Sequence, residues 1–338
     1  VQIGIVGCGN IGEVHAAVLS EMKRVKVCAF VDIRLKRAEE YSVRFTGGEA
    51  KIYGSLEDMI ENEEVDVIHI CSPHHSHVPM AIVALNKGIH VFMEKPPAIS
   101  REQFEELSAV CGQSKSRLGI CFQNRYNEAT KKVNEILNQE SLGRIKGGRA
   151  FVTWHRDASY YKESSWRGNL KKAGGGVLIN QSIHTLDLFL SWLGKPIRIE
   201  ATMSNHHLKG NIEVEDTLEV YMCFSEDEDP VSASFYATTA YATDAPVFLE
   251  FVCEKGFVRL EGNVVQYQTE AQQEPLVWKA RKASMPGKTY WGSGHEDCIR
   301  DFYDCLETGK VYRNDLDSVR TTFDTMIDIY DSARNKRR

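Results

Sequence analysis

No run in the 338-residue sequence approaches the ~18 uninterrupted apolar residues that a membrane helix requires, so no membrane-spanning segment is expected. Basic residues are not in surplus either. The 41 Lys and Arg stand against 47 Asp and Glu, a net charge of 41 − 47 = −6. That leaves no basic field to hold a phosphate backbone without sequence preference, and a nucleic-acid partner is not expected. The nine cysteines are scattered and none stands in a C-x-x-C pair, so neither a zinc ribbon nor a disulfide framework is indicated, and a reducing cytoplasm fits best. Internal repeats and low-complexity segments are missing as well. The acidic stretch at 226–230 reads as a solvated turn, and the opening VQIGIVGCGN reads as a strand and turn rather than a signal peptide.

Hydrophobic residues make up 42% and charged residues 26%, as in a soluble globular chain long enough for two domains. From residue 1 to about 122, apolar β-branched runs at Val1–Val6, Val25–Val31, Val65–Ile70, Ile89–Met93 and Leu118–Phe122 alternate with stretches of helical composition. These helical stretches are Gly12–Met22, Leu35–Thr46, Leu56–Asn62, Pro79–Lys87 and Arg101–Ser116. Such alternation predicts a parallel, doubly wound sheet covered by helices on both faces.

After Arg125 the pattern changes. Helices are expected at 128–138 and 177–193, and strands at Arg149–His155, Arg198–Ser204, Thr217–Phe224, Val231–Thr238, Val247–Cys253 and Phe257–Glu261. Ser232, Ser234 and Tyr236 alternate with Ala233, Phe235 and Ala237, the mark of an antiparallel sheet with unlike faces. Two helices, about Glu296–Glu307 and Leu316–Asn335, close the chain. The expected architecture is a dinucleotide-type α/β domain over 1–123, followed by an α+β domain over 124–338 built on an open antiparallel sheet.

Gly7-Cys8-Gly9-Asn10-Ile11-Gly12 fits G-x-G-x-x-G directly after the first strand and at the start of a helix. Gly7 permits the tight turn, Gly9 lets a pyrophosphate approach the backbone, Gly12 lets the helix pack closely, and the helix N-terminus attracts the anion. Asp32 ends the second strand twenty residues after Gly12, where a carboxylate hydrogen-bonds a ribose 2′-OH. This favours NAD. Arg34, Lys36 and Arg37, following Asp32 and Ile33, leave NADP open.

In an open parallel sheet the ligand crevice lies outside the carboxyl ends of the strands. Two strand ends carry unusual residues. Ile89-His90-Val91-Phe92-Met93 stops at Glu94-Lys95-Pro96-Pro97, where the prolines fix two φ angles and hold Lys95 in an extended loop; an ordinary exposed strand end is the alternative. The preceding strand ends in Cys71-Ser72-Pro73-His74-His75-Ser76-His77. Three imidazoles in four residues suggest a metal, but apart from Cys71 no carboxylate or thiolate stands at ligand spacing, and no metal is expected. Ser72 to His74 are expected to line the nicotinamide side, with His77 near the start of the next helix and, like Cys71, Glu94 and Lys95, among the cofactor residues; for His75 simple exposure is the alternative.

Gly174-Gly175-Gly176 precede a helix on which Asn180, His184 and Asp187 are spaced by four and three residues. The glycines would let the backbone pass closely over a ligand. The three polar residues would share one face. His184 is the expected general base, because a neutral imidazole accepts a hydroxyl proton as hydride leaves the same carbon, and Asp187 would orient its ring. A buried polar cluster that specifies packing is the alternative.

Taken in order, Gly7, Gly9, Gly12 and His15, then Glu94-Lys95-Pro96, Gln123-Asn124-Arg125-Tyr126, Trp166-Arg167-Gly168 and the Gly174–Asp187 stretch resemble the Gfo/Idh/MocA oxidoreductase family over nearly the whole chain. The resemblance implies a Rossmann domain followed by an open-faced sheet domain that often mediates dimers or tetramers. It also implies NAD(P)-dependent oxidation or reduction of a sugar, polyol or nucleotide sugar. It casts Lys95 as the lysine that hydrogen-bonds the reacting oxygen and His184 as the proton acceptor. Trp166 and Arg167 become the pair that closes over cofactor or substrate, and Gln123 and Arg125 join the cofactor and substrate residues. Asn180 departs from the Asp that many relatives carry, so the Asp-His pairing of inositol-type relatives is replaced by Lys95 and His184 dividing the work.

Two other readings stay open: a redox-neutral NAD-dependent glycoside hydrolase of the same fold, and an NAD-binding sensor without chemistry. Near the glycine run, Arg156, Tyr160, Tyr161, Lys162, Lys171 and Lys172 would suit a carboxylate or phosphate on the sugar, although loop cations are mostly solvated. His295 begins a late helix and is a further candidate for the site.

Overall fold

A computed structural model of the chain describes residues 1–226, 229–280 and 294–335. The acidic turn expected at 226–230 thus has two residues, 227 and 228, outside the described residues. The first compact unit comprises Val1–Gln123 and, among the described later residues, His295–Val319; the second takes the remainder.

In the first unit strands and helices alternate: β1 (Gln2–Val6), α1 (Asn10–Ser20), β2 (Lys26–Val31), α2 (Leu35–Thr46), β3 (Lys51–Tyr53), α3 (Leu56–Asn62), β4 (Val67–Ile70), α4 (His74–Asn86), β5 (His90–Glu94), α5 (Arg101–Gln113) and β6 (Leu118–Cys121). The sheet is parallel with order β3-β2-β1-β4-β5-β6. This is the doubly wound dinucleotide-binding order, and the strand order reverses between β1 and β4. Both β4 and β6 are buried along their whole length, as strands covered on two faces must be.

The unit is completed by a segment from late in the chain, which enters it from within the stretch expected to belong to the second domain. Phe302 packs on Phe92 with ring centroids 5.1 Å apart, and a Cβ on Gly119 would come within 2.6 Å of the Phe302 ring, so only glycine fits on that strand. Asn314 extends the sheet edge: its carbonyl accepts from Ile120 N at 2.9 Å, and its Nδ2 donates to Phe122 O at 3.2 Å.

The second unit holds α6 (Glu128–Leu137), β7 (Ile145–Thr153), α7 (Ala158–Lys162), α8 (Leu170–Ala173), a π-helix (Val177–Ser182), α9 (Ile183–Leu193), β8 (Arg198–Ser204), β9 (Thr217–Ser225), β10 (Val231–Thr238), β11 (Phe248–Cys253), β12 (Gly256–Glu261), β13 (Val264–Thr269) and β14 (Leu276–Lys279). Its sheet runs β14-β13-β12-β11-β7-β10-β9-β8 and is antiparallel except where β7 meets β10. Ala233, Phe235 and Ala237 face the core, as their alternation with Ser232, Ser234 and Tyr236 predicts. Two C-terminal helices follow, α10 (Gly294–Thr308) and α11 (Arg320–Asn335).

Several elements differ from the sequence expectation. Helix α4 begins at His74 rather than Pro79, so the histidine triplet lies on a helical first turn instead of a loop. The stretch expected as a helix over 177–193 opens as a π-helix and becomes α-helical only at Ile183. Strands β3, β13 and β14 are additional.

Candidate active site

At the end of β1 the glycine fingerprint is shaped by its own neighbours. Gly7 takes φ +98°, and a Cβ there would collide with Cys71 at the end of β4. A Cβ on Gly12 would strike the carbonyl of Gly7, so α1 packs against the turn only because Gly12 has no side chain. Gly9 has open space where a Cβ would stand, which is the room a pyrophosphate needs at the start of α1, beside Asn10 and Ile11. Asp32 is held in place: its carboxylate accepts from Cys8 N at 3.0 Å and from Arg34 N at 2.8 Å. Ile33 beside it is 91% exposed. These residues fit a dinucleotide whose ribose meets the Asp32 carboxylate.

At the end of β5 the two charged residues turn in opposite ways. Lys95 is half-buried, and its peptide bond to Pro96 is cis. Glu94 is not an exposed strand end: it is buried and accepts from His15 Nε2 at 3.1 Å. His15 Nδ1 meets His69 Nδ1 at 2.9 Å, and His69 Nε2 meets the Tyr303 hydroxyl at 2.8 Å. A hydrogen-bonded chain of four side chains thus runs from Glu94 through the middle of the sheet to α10. Burial pushes the Glu94 carboxyl up, but the hydrogen bond from His15 and the nearby His15, His295 and Lys95 outweigh it and hold Glu94 well below the usual carboxylate range. His15, Glu94 and Cys121 bring their donor atoms within 4.8 Å of one another, a set of metal-ligand types in which Glu94 and His15 already bond each other.

His77 also differs from expectation. Its ring is turned inward, with Nδ1 3.0 Å from Pro96 O and Nε2 2.9 Å from Ser72 O. It therefore ties the two strand-end loops together instead of facing a cofactor. His74 is likewise buried, and Ser72 Oγ lies 2.7 Å from Ser76 Oγ. Cys71 is buried with its thiol pushed up by burial and by Glu94, and Gln123 is buried in the 3-10 turn after β6.

His295 belongs to this buried group, in the first unit. Burial pulls it down to about 4, with Glu94 opposing and His15 reinforcing the shift. Burial likewise carries His69 well below its usual value. A histidine whose folded pKa is lowered contributes stability that is present above its unfolded pKa and is lost as pH falls below it. Resistance to guanidinium is therefore expected to fall from about pH 6.5 down towards about pH 4. His69→Leu should show a smaller fall, and an equal fall in that variant would remove His69 from the acid response.

The second unit contributes the helix through Asn180 and His184. From Gly175 to Leu190 every residue is buried except these two, which are half-exposed. The expected partnership of His184 with Asp187 is not what forms. Asp187 accepts from Arg125 Nε at 2.7 Å, from Arg125 Nη2 at 2.6 Å and from Thr322 Oγ1 at 2.7 Å, because the π-helical turn and the 3-10 turn at Gln123–Tyr126 bring Arg125 to the carboxylate. Arg125 and Asp187 thus form a buried ion pair that braces the helix. The glycine run, too, is crowded by protein rather than left open for a ligand: a Cβ on Gly175 would strike the Tyr330 hydroxyl, and one on Gly176 the Glu215 carbonyl.

Of the other second-unit candidates, Arg167 stacks over Tyr160 at 4.6 Å and over Trp166 at 5.5 Å. Tyr161 packs in an apolar cluster with Leu208, Ile212 and Val214, so its ring serves the core rather than a pocket wall. Arg156 is buried on Asp244 at 2.7 Å, while Lys162, Lys171 and Lys172 are exposed, as solvated loop lysines are. Glu215 and Tyr330 went unnoticed in the sequence; an acidic pair before a strand and a tyrosine on an amphipathic helix carry no signal of a joint role.

Residues 1–122 match the family described as "Oxidoreductase family, NAD-binding Rossmann fold", and residues 130–259 match the "GFO/IDH/MocA C-terminal domain". The chain belongs to the Gfo/Idh/MocA oxidoreductases, and its first unit is their NAD-binding Rossmann domain. It is 29% identical to the D-glucoside 3-dehydrogenase of Escherichia coli over 198 residues, 58% of this chain and 54% of that protein. It is also 29% identical to the glucose-6-phosphate 3-dehydrogenase of Bacillus subtilis over 189 residues, 55% of this chain and 52% of that one. The chain thus spans about half the length of these curated relatives. Among solved structures, the WlbA dehydrogenase of Bordetella pertussis, in complex with NADH and UDP-GlcNAcA, superposes with a TM-score of 0.83 at 25% identity, covering 99% of this chain and 97% of that one. No described helix is long and apolar enough to cross a membrane.

Proposed function

We propose that the protein transfers hydride between nicotinamide and a secondary alcohol carbon of a sugar, polyol or nucleotide sugar. The observation that carries this reading is the stretch from Gly175 to Leu190, in which every residue is buried except Asn180 and His184. A stretch that exposes only an amide and an imidazole offers a hydrogen-bonding group and a proton acceptor and little else. Lys95, held in its loop beside the buried Glu94, supplies the complementary charge. The dehydrogenases that the chain resembles support the same class of reaction, and the WlbA complex supports a nucleotide sugar among the candidates.

In the oxidative direction, His184 removes the hydroxyl proton while the C–H bond gives up its hydride and the carbonyl forms. The Lys95 ammonium hydrogen-bonds the oxygen and stabilises the charge that develops on it. Asn180 orients a neighbouring hydroxyl by hydrogen bonding, without taking a proton. NAD, when bound, supplies the hydride acceptor. Gly7, Gly9, Asn10, Ile11, Gly12, Asp32, Ile33 and Arg34 are the residues that would hold it, with Ser72, Pro73, Gln123, Trp166 and Arg167 closer to the reacting end. Asp32 favours NAD, since a carboxylate repels a 2′-phosphate, although Arg34 keeps NADP in play. The nine free cysteines support a reducing, cytoplasmic setting, and the open sheet supports a homodimer or homotetramer.

The test is the absorbance of reduced nicotinamide when purified protein meets NAD⁺ or NADP⁺ with free sugars, inositols, sugar phosphates and nucleotide sugars. Reduction with one class is expected, faster with NAD⁺. Silence across the panel, with NAD⁺ still bound, would sink the dehydrogenase reading.

A further inference from the structure

The inference rests on the reading of His184 and Asn180 as the chemistry-bearing pair, and concerns the groups that hold them. A π-helix is uncommon, and its first turn leaves backbone N–H groups without partners inside the helix. Here each is accounted for. Gly176 N donates to Glu215 Oε2 at 2.9 Å, Val177 N to Glu215 O at 3.1 Å, Leu178 N to Glu215 Oε1 at 3.1 Å, and Ile179 N to the Tyr330 hydroxyl at 3.3 Å. The Tyr330 hydroxyl in turn donates to Glu215 Oε1 at 2.8 Å. One buried glutamate and one buried tyrosine therefore cap the whole turn, and Gly175 and Gly176 are the residues that let them approach.

The same helix is gripped a second time further along. Thr322 Oγ1 donates to Asp187 Oδ1 at 2.7 Å, and Asp187 also receives Arg125. Thr322 and Tyr330 both belong to α11. They lie eight residues apart, about 12 Å along a helix and close to the same face. Helix α11 thus touches the site-bearing helix on either side of Asn180 and His184.

We propose that Glu215, Tyr330 and Thr322 form a splint that sets the register of Asn180 and His184 without touching substrate. The π segment places one more residue in its turn than an α-helix would, and each residue turns the following side chains by about 100°. Letting the segment relax to α geometry would therefore swing Asn180 relative to His184. The cap holds the start of the segment, and the Asp187 bridge holds the α-helical turns after it. Burial pushes the Glu215 carboxyl above its ordinary value, while its donors, Leu178 and Gly176 N–H and the Tyr330 hydroxyl among them, pull it back, in keeping with a carboxylate kept in place by the bonds it receives.

The test compares Tyr330→Phe, Glu215→Gln, Thr322→Val and Thr322→Ser with His184→Ala in the full chain, using the substrate found in the nicotinamide assay. Tyr330→Phe is expected to lower kcat about tenfold or more, as small displacements of a reacting group do, while the Kd for NAD stays within about twofold. Thr322→Ser should keep the activity that Thr322→Val loses, since only the hydroxyl is needed. If His184→Ala is inactive but Tyr330→Phe and Thr322→Val retain full kcat, the splint is wrong and the catalytic reading stands. If His184→Ala turns over normally, both fall. Should Glu215→Gln fail to fold, the Tyr330 and Thr322 variants still decide.

Discussion

His184→Ala is expected to lower kcat by about 10²- to 10⁴-fold while NAD affinity stays near that of the unaltered protein. The magnitude is that of losing a positioned proton acceptor. The selectivity follows from place: His184 lies in the second unit, whereas the glycine fingerprint and Asp32 lie in the first. Asn180, the other half-exposed residue between Gly175 and Leu190, has no basic site to take over the proton. Lys95→Met should bring a comparable loss, because methionine keeps the stem but removes the ammonium proposed to stabilise the developing oxyanion. Stopped-flow measurement of hydride transfer beside a fluorescence titration of NAD separates the two effects. Normal transfer in either variant would remove that residue from the chemistry.

Asp187→Ala is expected to destabilise the protein by about 3–5 kcal/mol, the usual cost of removing one partner of a buried ion pair. The side chains of Arg125 and Asp187 are 12% and 1% exposed, so solvent cannot take over the guanidinium once the carboxylate is gone. Thr322 would lose its acceptor as well. Urea denaturation monitored by tryptophan fluorescence measures the effect, and a loss below about 1 kcal/mol would mean that Arg125 finds other solvation.

Much of the first unit was legible because strands buried on both faces leave apolar runs that need no tertiary information, as Val67–Ile70 and Leu118–Cys121 do. Strand β3 was not: Lys51–Tyr53 is three residues long with no buried position. Strand β13 escaped because Gln266 and Gln268 interrupt its apolar residues, and β14 because it is only four residues long and mostly exposed. In the site, Asn180, His184 and Lys95 could be singled out by residue type and position. The environment of each could not. The departure of Val177–Ser182 from α geometry is too short to disturb a hydrophobic period, and Asp187 finds its partners 62 residues before it and 135 after it. In the sequence His69 is one more residue of an apolar strand, because its partners His15 and Tyr303 come from α1 and α10.

The stretch from Gly175 to Leu190, buried except at Asn180 and His184, also constrains how such a protein diversifies. Any other substitution between Gly175 and Leu190 enters the core, where a change of even one methylene is felt in stability. The chemistry-bearing surface is therefore nearly immutable, while exposed positions outside it, such as Lys162, Lys171 and Lys172, are free to vary. A chain built this way would change its specificity at its periphery, and selection for a new substrate would leave its mark there, with the buried stretch itself passing unchanged.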